Sequence, residues 1–472
     1  KKKKKKKKKK KIIFIFRDLS SQFSIPYQLN SIKKMTFEFT SNKDNWSKSL
    51  GAVEYFSSPV FTRGGFYFKG AINEERFLVA IKEAFNEFHF LLATFFRDGD
   101  GWRACYPPKN QDDKIEQLEI ERREEERIDS ATLDVILPDK IVDERMRLGF
   151  SVDLEGILMG FFKLTIFMDG FVIGYNVNHS LFDQASIFYF LKYTSHLYTY
   201  GKEKLSLKQP IIVDVESFET KNQVSFKDIN EVREYGNSIL GFTYSPPSKT
   251  ENIASNSDNV IIKLKFNLME IEEFKKTPKQ YISTNDIIHA ILFKIYTFNP
   301  NLQETDEFCL RYAVNARKHL GLGEEAIGNL VHQCRIILTV GELRKKTLLE
   351  LALVDRQSIS EISGQDFLND VGWYKYIKDN KVNTMEYIGK GSSLTTRTTN
   401  WTNFDYNNVT FDGSLPIAVK SPSIASYGVN VISFDTQDNQ KIFTCPISIP
   451  SNCLDYAVEL GKSSKLYIIE HL

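Results

Sequence analysis

Apolar positions along the chain fall into short blocks whose spacing alternates between about two and three to four residues. In ERFLVAIKEAFNEFHF, Phe77, Ile81, Ala84, Phe85 and Phe88 recur at helical spacing. Asn73 followed by Glu74 and Glu75 suits the start of that helix, because a short polar side chain can cap the free amides and acids favour the positive end. Before it, residues 36–70 read as an extended entry closing in an aromatic strand around Phe66 to Lys69. After it, LLATFFRDGDGWRACYPP reads as a short strand with a turn at Asp100-Gly101. Residues 111–130, with EQLEIERREEER at their centre, read as a solvated loop or helix face. Two strands are predicted at Ile157–Phe167 and Phe171–Val177, joined at Met168-Asp169-Gly170. The second ends in NVNHSLFD, and a helix is predicted from about Gln184 to Tyr200.

Residues 245–259, SPPSKTENIASNSDN, lack apolar periodicity and read as a linker. The alternation then resumes. A strand at 260–266 precedes a helix opened by a capping box, Ser283 with Asp286, and a strand at 308–316 ends at VNAR. Helices are predicted at about 344–362 and 366–379. A hairpin at 427–449 turns at Thr436-Gln437-Asp438-Asn439, and a short helix follows from about Ser451. No repeat of 20–50 residues stands out. Strands mixed with helices in both halves predict an α/β fold of layered domains, one on each side of the linker.

Composition changes this picture in a few places. The 472 residues, 42% hydrophobic and 26% charged, suit a large globular core and argue against disorder or a fibrous protein. Lysine and arginine number 62 against 60 acids, a net +2, yet residues 1–34 carry +13 of it and leave −11 for the rest. The tract Lys1–Lys11 cannot pack against itself. Residues 1–34 are therefore expected to be a disordered or non-native extension, with the fold starting at Met35. No nucleic-acid role is expected of it. The apolar stretch Ile12–Phe16 is too short for a secretory signal, and Lys163, Asp169 and Gly170 interrupt the longest apolar run, so no membrane span is expected. Five cysteines without a CxxC pair indicate neither a disulfide framework nor a thiolate metal site. A cytoplasmic monomer without a resident metal is the expectation.

The candidate chemistry lies in NVNHSLFD. His179 and Asp183 are four residues apart, an arrangement that chance produces readily, but its position between a hydrophobic strand and a helix gives it meaning. There the imidazole emerges at an element boundary, while Asp183 can cap the new helix through the amides near Ala185 and Ser186. A neutral imidazole can take the proton of a hydroxyl or amine as that group attacks a thioester. The tetrahedral oxyanion would need donors from elsewhere. His289 and His332 lie in apolar stretches and read as core or boundary histidines.

YNVNHSLFDQASIFYFL resembles the active-site segment of the BAHD acyltransferases, the HxxxD-type, CoA-dependent enzymes that acylate alcohols and amines. ERFLVAIKEAFNEFHFLLATF is similar to an early helix of that family. RYAVNARKHL with AIGNLVHQC resembles its Val-Asp-x-Arg and Gly-Asn pair, here Asn315, Arg317, Gly328 and Asn329. TTNWTNFDYNNVTFDGSLPI aligns with its Thr-Ser-Trp segment and its DFGWG motif, and the ordered set spans roughly Leu50 to Leu466.

The resemblance implies two similar layered α/β domains with mixed sheets, chloramphenicol-acetyltransferase-like, and an active-site channel between them. The N-terminal acyltransferase domain (35–244) would carry HxxxD, and the C-terminal one would span 260–472. It implies acyl-CoA as cosubstrate, a small-molecule alcohol or amine as acceptor, His179 as general base and Asp183 as structural support. Thr399 and Trp401 would flank the acyl carbonyl and acceptor. Arg317, Lys318 and Phe411 are expected to contact CoA. The chain departs from the family at Gln184, where a Gly is usual, and at TFDGS (410–414), which keeps only the Phe of DFGWG. With Thr410 replacing the Asp that usually pairs with the conserved Arg, Asp412 becomes the expected partner of Arg317. Alternatives are an inactive binding module on the same scaffold and a condensation-type domain fed by carrier proteins.

Overall fold

The computed structural model describes residues 33–38, 46–57, 60–99, 101–106, 116–130, 155–219, 226–236, 259–380, 395–421, 429–437 and 440–471. The lysine tract, the expected linker apart from Asn259, and the tip of the 427–449 hairpin lie outside them.

In the N-terminal half the strands are β1 (Lys33–Glu38), β2 (Trp46–Ser49), β3 (Phe61–Lys69), β4 (Thr94–Asp98), β5 (Gly101–Tyr106), β6 (Glu116–Arg123), β7 (Gly160–Phe167), β8 (Gly170–Asn178) and the short β9 (Ile211–Ile212). The C-terminal half supplies β10 (Asn259–Phe266), β11 (Glu307–Asn315), β12 (Ala326–Ile327), β13 (Val331–Thr339), β14 (Thr395–Asn400), β15 (Pro416–Lys420), β16 (Val429–Gln437), β17 (Gln440–Pro450) and β18 (Tyr467–His471).

One mixed sheet runs through the molecule in the order β1-β6-β7-β8-β3-β15-β16-β14-β11-β13, and β17, β10 and β18 branch from β16. β15 belongs to the C-terminal half in sequence but pairs antiparallel with β3, so the two sheets are continuous. β9 pairs with β12 across the same divide. β8 is buried at every position, which explains its unbroken apolar reading: β7 and β3 flank it, and helices cover it. The helices Glu74–Glu87 and Gln184–Tyr200 pack over the N-terminal sheet, and their residues join Phe66, Phe162 and Tyr175 in one aromatic core. The helix Thr284–Thr297 sits in a second core with Ile262, Leu310 and Ile447. The architecture is that of mixed layered α/β domains.

The element boundaries follow local chemistry. Asn73 caps its helix by accepting from Arg76 N at 2.9 Å, and Ser283 with Asp286 forms the expected capping box. Two expectations need correcting. The charged run is not a solvated loop or helix face, since EQLEIERR forms β6, parallel to β7 and buried at Gln117, Glu119 and Glu121. The cause is strict alternation. Leu118 and Ile120 face the core, while Lys163 of β7 ion-pairs with Glu121 at 2.6 Å and with Glu119 at 3.8 Å on the other face. The first strand also begins at Lys33, before Met35, and pairs with β6.

Candidate active site

β8 delivers His179 to the seam between the halves. The His179 amide donates to the Val60 carbonyl at 2.8 Å, and the Ser180 amide donates to Asn178 Oδ1 at 2.9 Å, which turns the chain sharply off the strand. Leu181 and Phe182 then plunge into the N-terminal core, where Phe182 stacks on Phe90. These two anchors hold the turn, and His179 remains only half-buried at its crest. Burial lowers the imidazole pKa below its ordinary value, against the opposing pull of the residue's own backbone and the Asp183 charge.

Asp183 caps the helix Gln184–Tyr200, accepting from the Ser186 amide at 2.8 Å. Its carboxylate also binds both guanidinium nitrogens of Arg317, NH1 to Oδ2 at 2.7 Å and NH2 to Oδ1 at 3.0 Å, and accepts from the Leu330 amide at 3.1 Å. Arg317 in turn donates to the carbonyl of Ala326 through Nε at 2.8 Å and to Ser186 Oγ at 2.9 Å. Gly328 N donates to Ser186 Oγ at 3.2 Å. Every polar atom of this junction comes from the end of β8, the following helix cap, or the loops around β11 and β12. Burial would raise the Asp183 carboxyl, but Arg317 and the Ser186 donors hold it below the ordinary carboxylate range. Asp183 thus links the end of β8 to the loops around β11 and β12 through its ion pair with Arg317 and its bond from the Leu330 amide.

Arg317 and Phe411 therefore lie elsewhere than expected. Arg317 is only 4% exposed and fully engaged with Asp183, so it has no surface to offer a cofactor at a channel mouth. Its partner is not Asp412, which pairs with Arg76 at 3.0 Å and accepts from the Asn73 amide and the Tyr198 hydroxyl. Phe411 is fully buried, with its ring against Phe68, Phe77 and Tyr198, and is a core residue. Lys318 is exposed at the start of a short 3-10 turn and keeps its ammonium available to an anion.

Thr399 is half-buried on β14, in register with Val431. Trp401 is buried in the core that also holds Leu181 and Phe182; its amide donates to Ile432 O at 2.8 Å and its carbonyl accepts from Tyr406. The structure thus ties Asp183 and Arg317 directly together and places Trp401 in the N-terminal core. His289 and His332 are buried, against Asp355 at 3.0 Å and Asp370 at 2.6 Å. Sequence reasoning named Ser186 only for its amide and missed its hydroxyl, which joins Asp183, Arg317 and Gly328. A serine three residues after a helix cap was the available signal. Among the described residues no helix is long and apolar enough to cross a membrane, and no three His, Cys, Asp or Glu side chains gather as a metal site would require.

The turn carrying His179 and Asp183 thus lies where the two halves of the chain meet in one continuous mixed sheet. Residues 128–455 match the sequence model of the transferase family, and the chain belongs to it; it is a BAHD-type acyltransferase. No curated protein matches the chain. Among solved structures, F. sporotrichioides TRI101 complexed with coenzyme A and T-2 aligns at 12% identity and TM-score 0.64 over 90% of this chain and 99% of that one. F. graminearum TRI101 complexed with coenzyme A and deoxynivalenol aligns at 13% identity and TM-score 0.63, with 90% and 99% covered. Vinorine synthase aligns at 13% identity and TM-score 0.60, with 90% and 95% covered.

Proposed function

We propose that the chain transfers an acyl group from acyl-CoA to a small-molecule alcohol or amine, with His179 as general base. The observation that carries this reading is the His179 turn: a half-buried, pKa-lowered imidazole at the seam, braced by the Asp183–Arg317 pair. The neutral ring takes the proton of the acceptor as its oxygen or nitrogen attacks the thioester carbonyl. The tetrahedral intermediate collapses, the C–S bond breaks, and the imidazolium returns its proton to the CoA thiolate. Thr399 and Trp401 flank the reacting carbonyl in this reading, and Thr399 Oγ1 is the candidate donor to the oxyanion. Lys318 meets a CoA phosphate. The protein works as a monomer; its placement in the cytoplasm is supported by its free cysteines.

The test is release of free thiol from a panel of acyl-CoAs with alcohols and amines. His179→Ala is expected to lose about 10²–10⁴-fold in rate. A variant that retains near wild-type turnover would remove His179 from the mechanism.

A further inference from the structure

Gln184 departs from the family pattern, and the chemistry derived above gives it no task. It opens the helix Gln184–Tyr200 directly after Asp183, where a Gly is usual, and it is only 8% exposed. Its Oε1 accepts from the Tyr175 hydroxyl at 3.0 Å, while its Nε2 has no partner among the described residues. A buried donor left open has a cost that a bound acceptor atom offsets. Asp183, the residue before it, is held ionised by Arg317, which is already committed to that carboxylate. An anion brought to Gln184 Nε2 would meet the Asp183 charge, whereas a neutral oxygen would not.

The strands beneath hold this side chain in place. Tyr175 of β8 stands in register with Gly64 of β3, and a Cβ at Gly64 would collide with the Tyr175 hydroxyl. The phenol therefore occupies the space that a side chain at Gly64 would need. Burial keeps it protonated, so it is a fixed donor that orients the Gln184 amide. Thr62 lies two residues before Gly64 on the same face of β3, opposite Val177, which joins Tyr175 in the N-terminal core. The Thr62 hydroxyl also has no partner among the described residues, and Thr62 is 9% exposed. The pairing continues to the turn, where the His179 amide donates to the Val60 carbonyl at 2.8 Å. Thr62 thus sits midway between the Gly64 rung and the His179 turn, about 7 Å of strand from each. On the same face Phe66 packs against Tyr175 and Tyr406, with ring centroids 6.0 and 5.8 Å apart, and the Tyr406 hydroxyl donates to the Trp401 carbonyl. One packed face therefore joins the His179 turn to the Trp401 segment, and it carries two open polar groups.

We propose that Gln184 Nε2 and Thr62 Oγ1 are specificity-determining donors for a neutral oxygen, a carbonyl or hydroxyl, that the substrate carries beyond its reacting atoms. The proposal rests on the acyltransferase reading and narrows its substrates to oxygenated, uncharged ones. An amide N–H and a hydroxyl together match the two lone pairs of a carbonyl oxygen. That oxygen can belong to the acceptor or to the acyl chain, and the experiment separates the two sources.

Thiol release from the full chain is measured with matched pairs that differ by one oxygen. Hydroxycyclohexanone against cyclohexanol and hydroxyacetone against propanol probe the acceptor, with acetyl-CoA as donor. Acetoacetyl-CoA against butyryl-CoA probes the acyl chain. In at least one arm, wild type is expected to favour the oxygenated member by about tenfold or more in kcat/KM, and that arm names the source. Gln184→Met and Thr62→Val are expected to reduce the preference to within about threefold, whereas Thr62→Ser, which keeps the hydroxyl, should retain it. Tyr175→Phe, which releases the amide, should reduce it in part. The preference is a ratio within one protein, so the fraction folded cancels. A wild type without preference in either arm overturns the proposal. So does an unchanged preference in Gln184→Met and Thr62→Val, even with slower turnover, since Gln184 would then only brace the turn. Failure of the acyltransferase reading looks different: wild type releases no thiol with any pair, and the proposal falls with it.

Discussion

At the scale of single residues, the Asp183–Arg317 pair joins the two halves of the chain just after the His179 turn. Both side chains are buried, and either one left alone would be a desolvated charge. Arg317→Met is therefore expected to destabilise the protein by about 3–5 kcal/mol, while Asp183→Asn with Arg317→Met costs less than the sum of the single changes; denaturant titration of the three variants tests this. The sign of the pH dependence follows from the depressed Asp183 pKa. Its stabilising contribution is present above the unfolded carboxylate pKa of about 3.9 and is lost as pH falls through the lower folded value. For His179, the base of the proposed mechanism, the depression keeps the ring neutral to lower pH than a free histidine. The acid limb of kcat/KM is expected below pH about 6.5, and a limb above that value would contradict the assignment.

At the scale of elements, β6 and the segment 410–414 carry the lessons. Lys163 lies 1% exposed between two buried glutamates of β6, so Lys163→Met should destabilise by about 3–5 kcal/mol although it replaces a charge with an apolar chain of similar length. A solvated β6 would make the change nearly neutral, and thermal or denaturant unfolding distinguishes the two. Phe411→Ala is expected to cost about 3–5 kcal/mol in stability while leaving the KM for acyl-CoA unchanged, because its ring packs only in the core. Strand, helix and cap positions were legible wherever local chemistry decided them. The helix after HxxxD spans Gln184–Tyr200 as its cap and apolar spacing predict. In β6 the dense charge masks an alternation of period two that marks it as a strand. What stands opposite those glutamates is a lysine some 40 positions away in sequence, which no local window contains.

At the scale of the whole molecule, the continuity of the sheet matters most. β15 completes the N-terminal sheet from the C-terminal half, and β9 pairs with β12 in the reverse sense. Fragments 35–244 and 260–472 expressed separately should each expose an unpaired strand edge and aggregate, whereas co-expression should recover soluble protein. Two fragments that are each soluble and cooperative would show the seam to be dispensable.

The sequence by itself determined the alternating α/β elements, the HxxxD turn and its family, because these depend on short-range periodicity, capping and ordered motifs. Only the tertiary structure decided that Arg317 braces Asp183 and that Phe411 is core. Those relations depend on strand register and domain contact, which join residues far apart in the chain and leave no local trace.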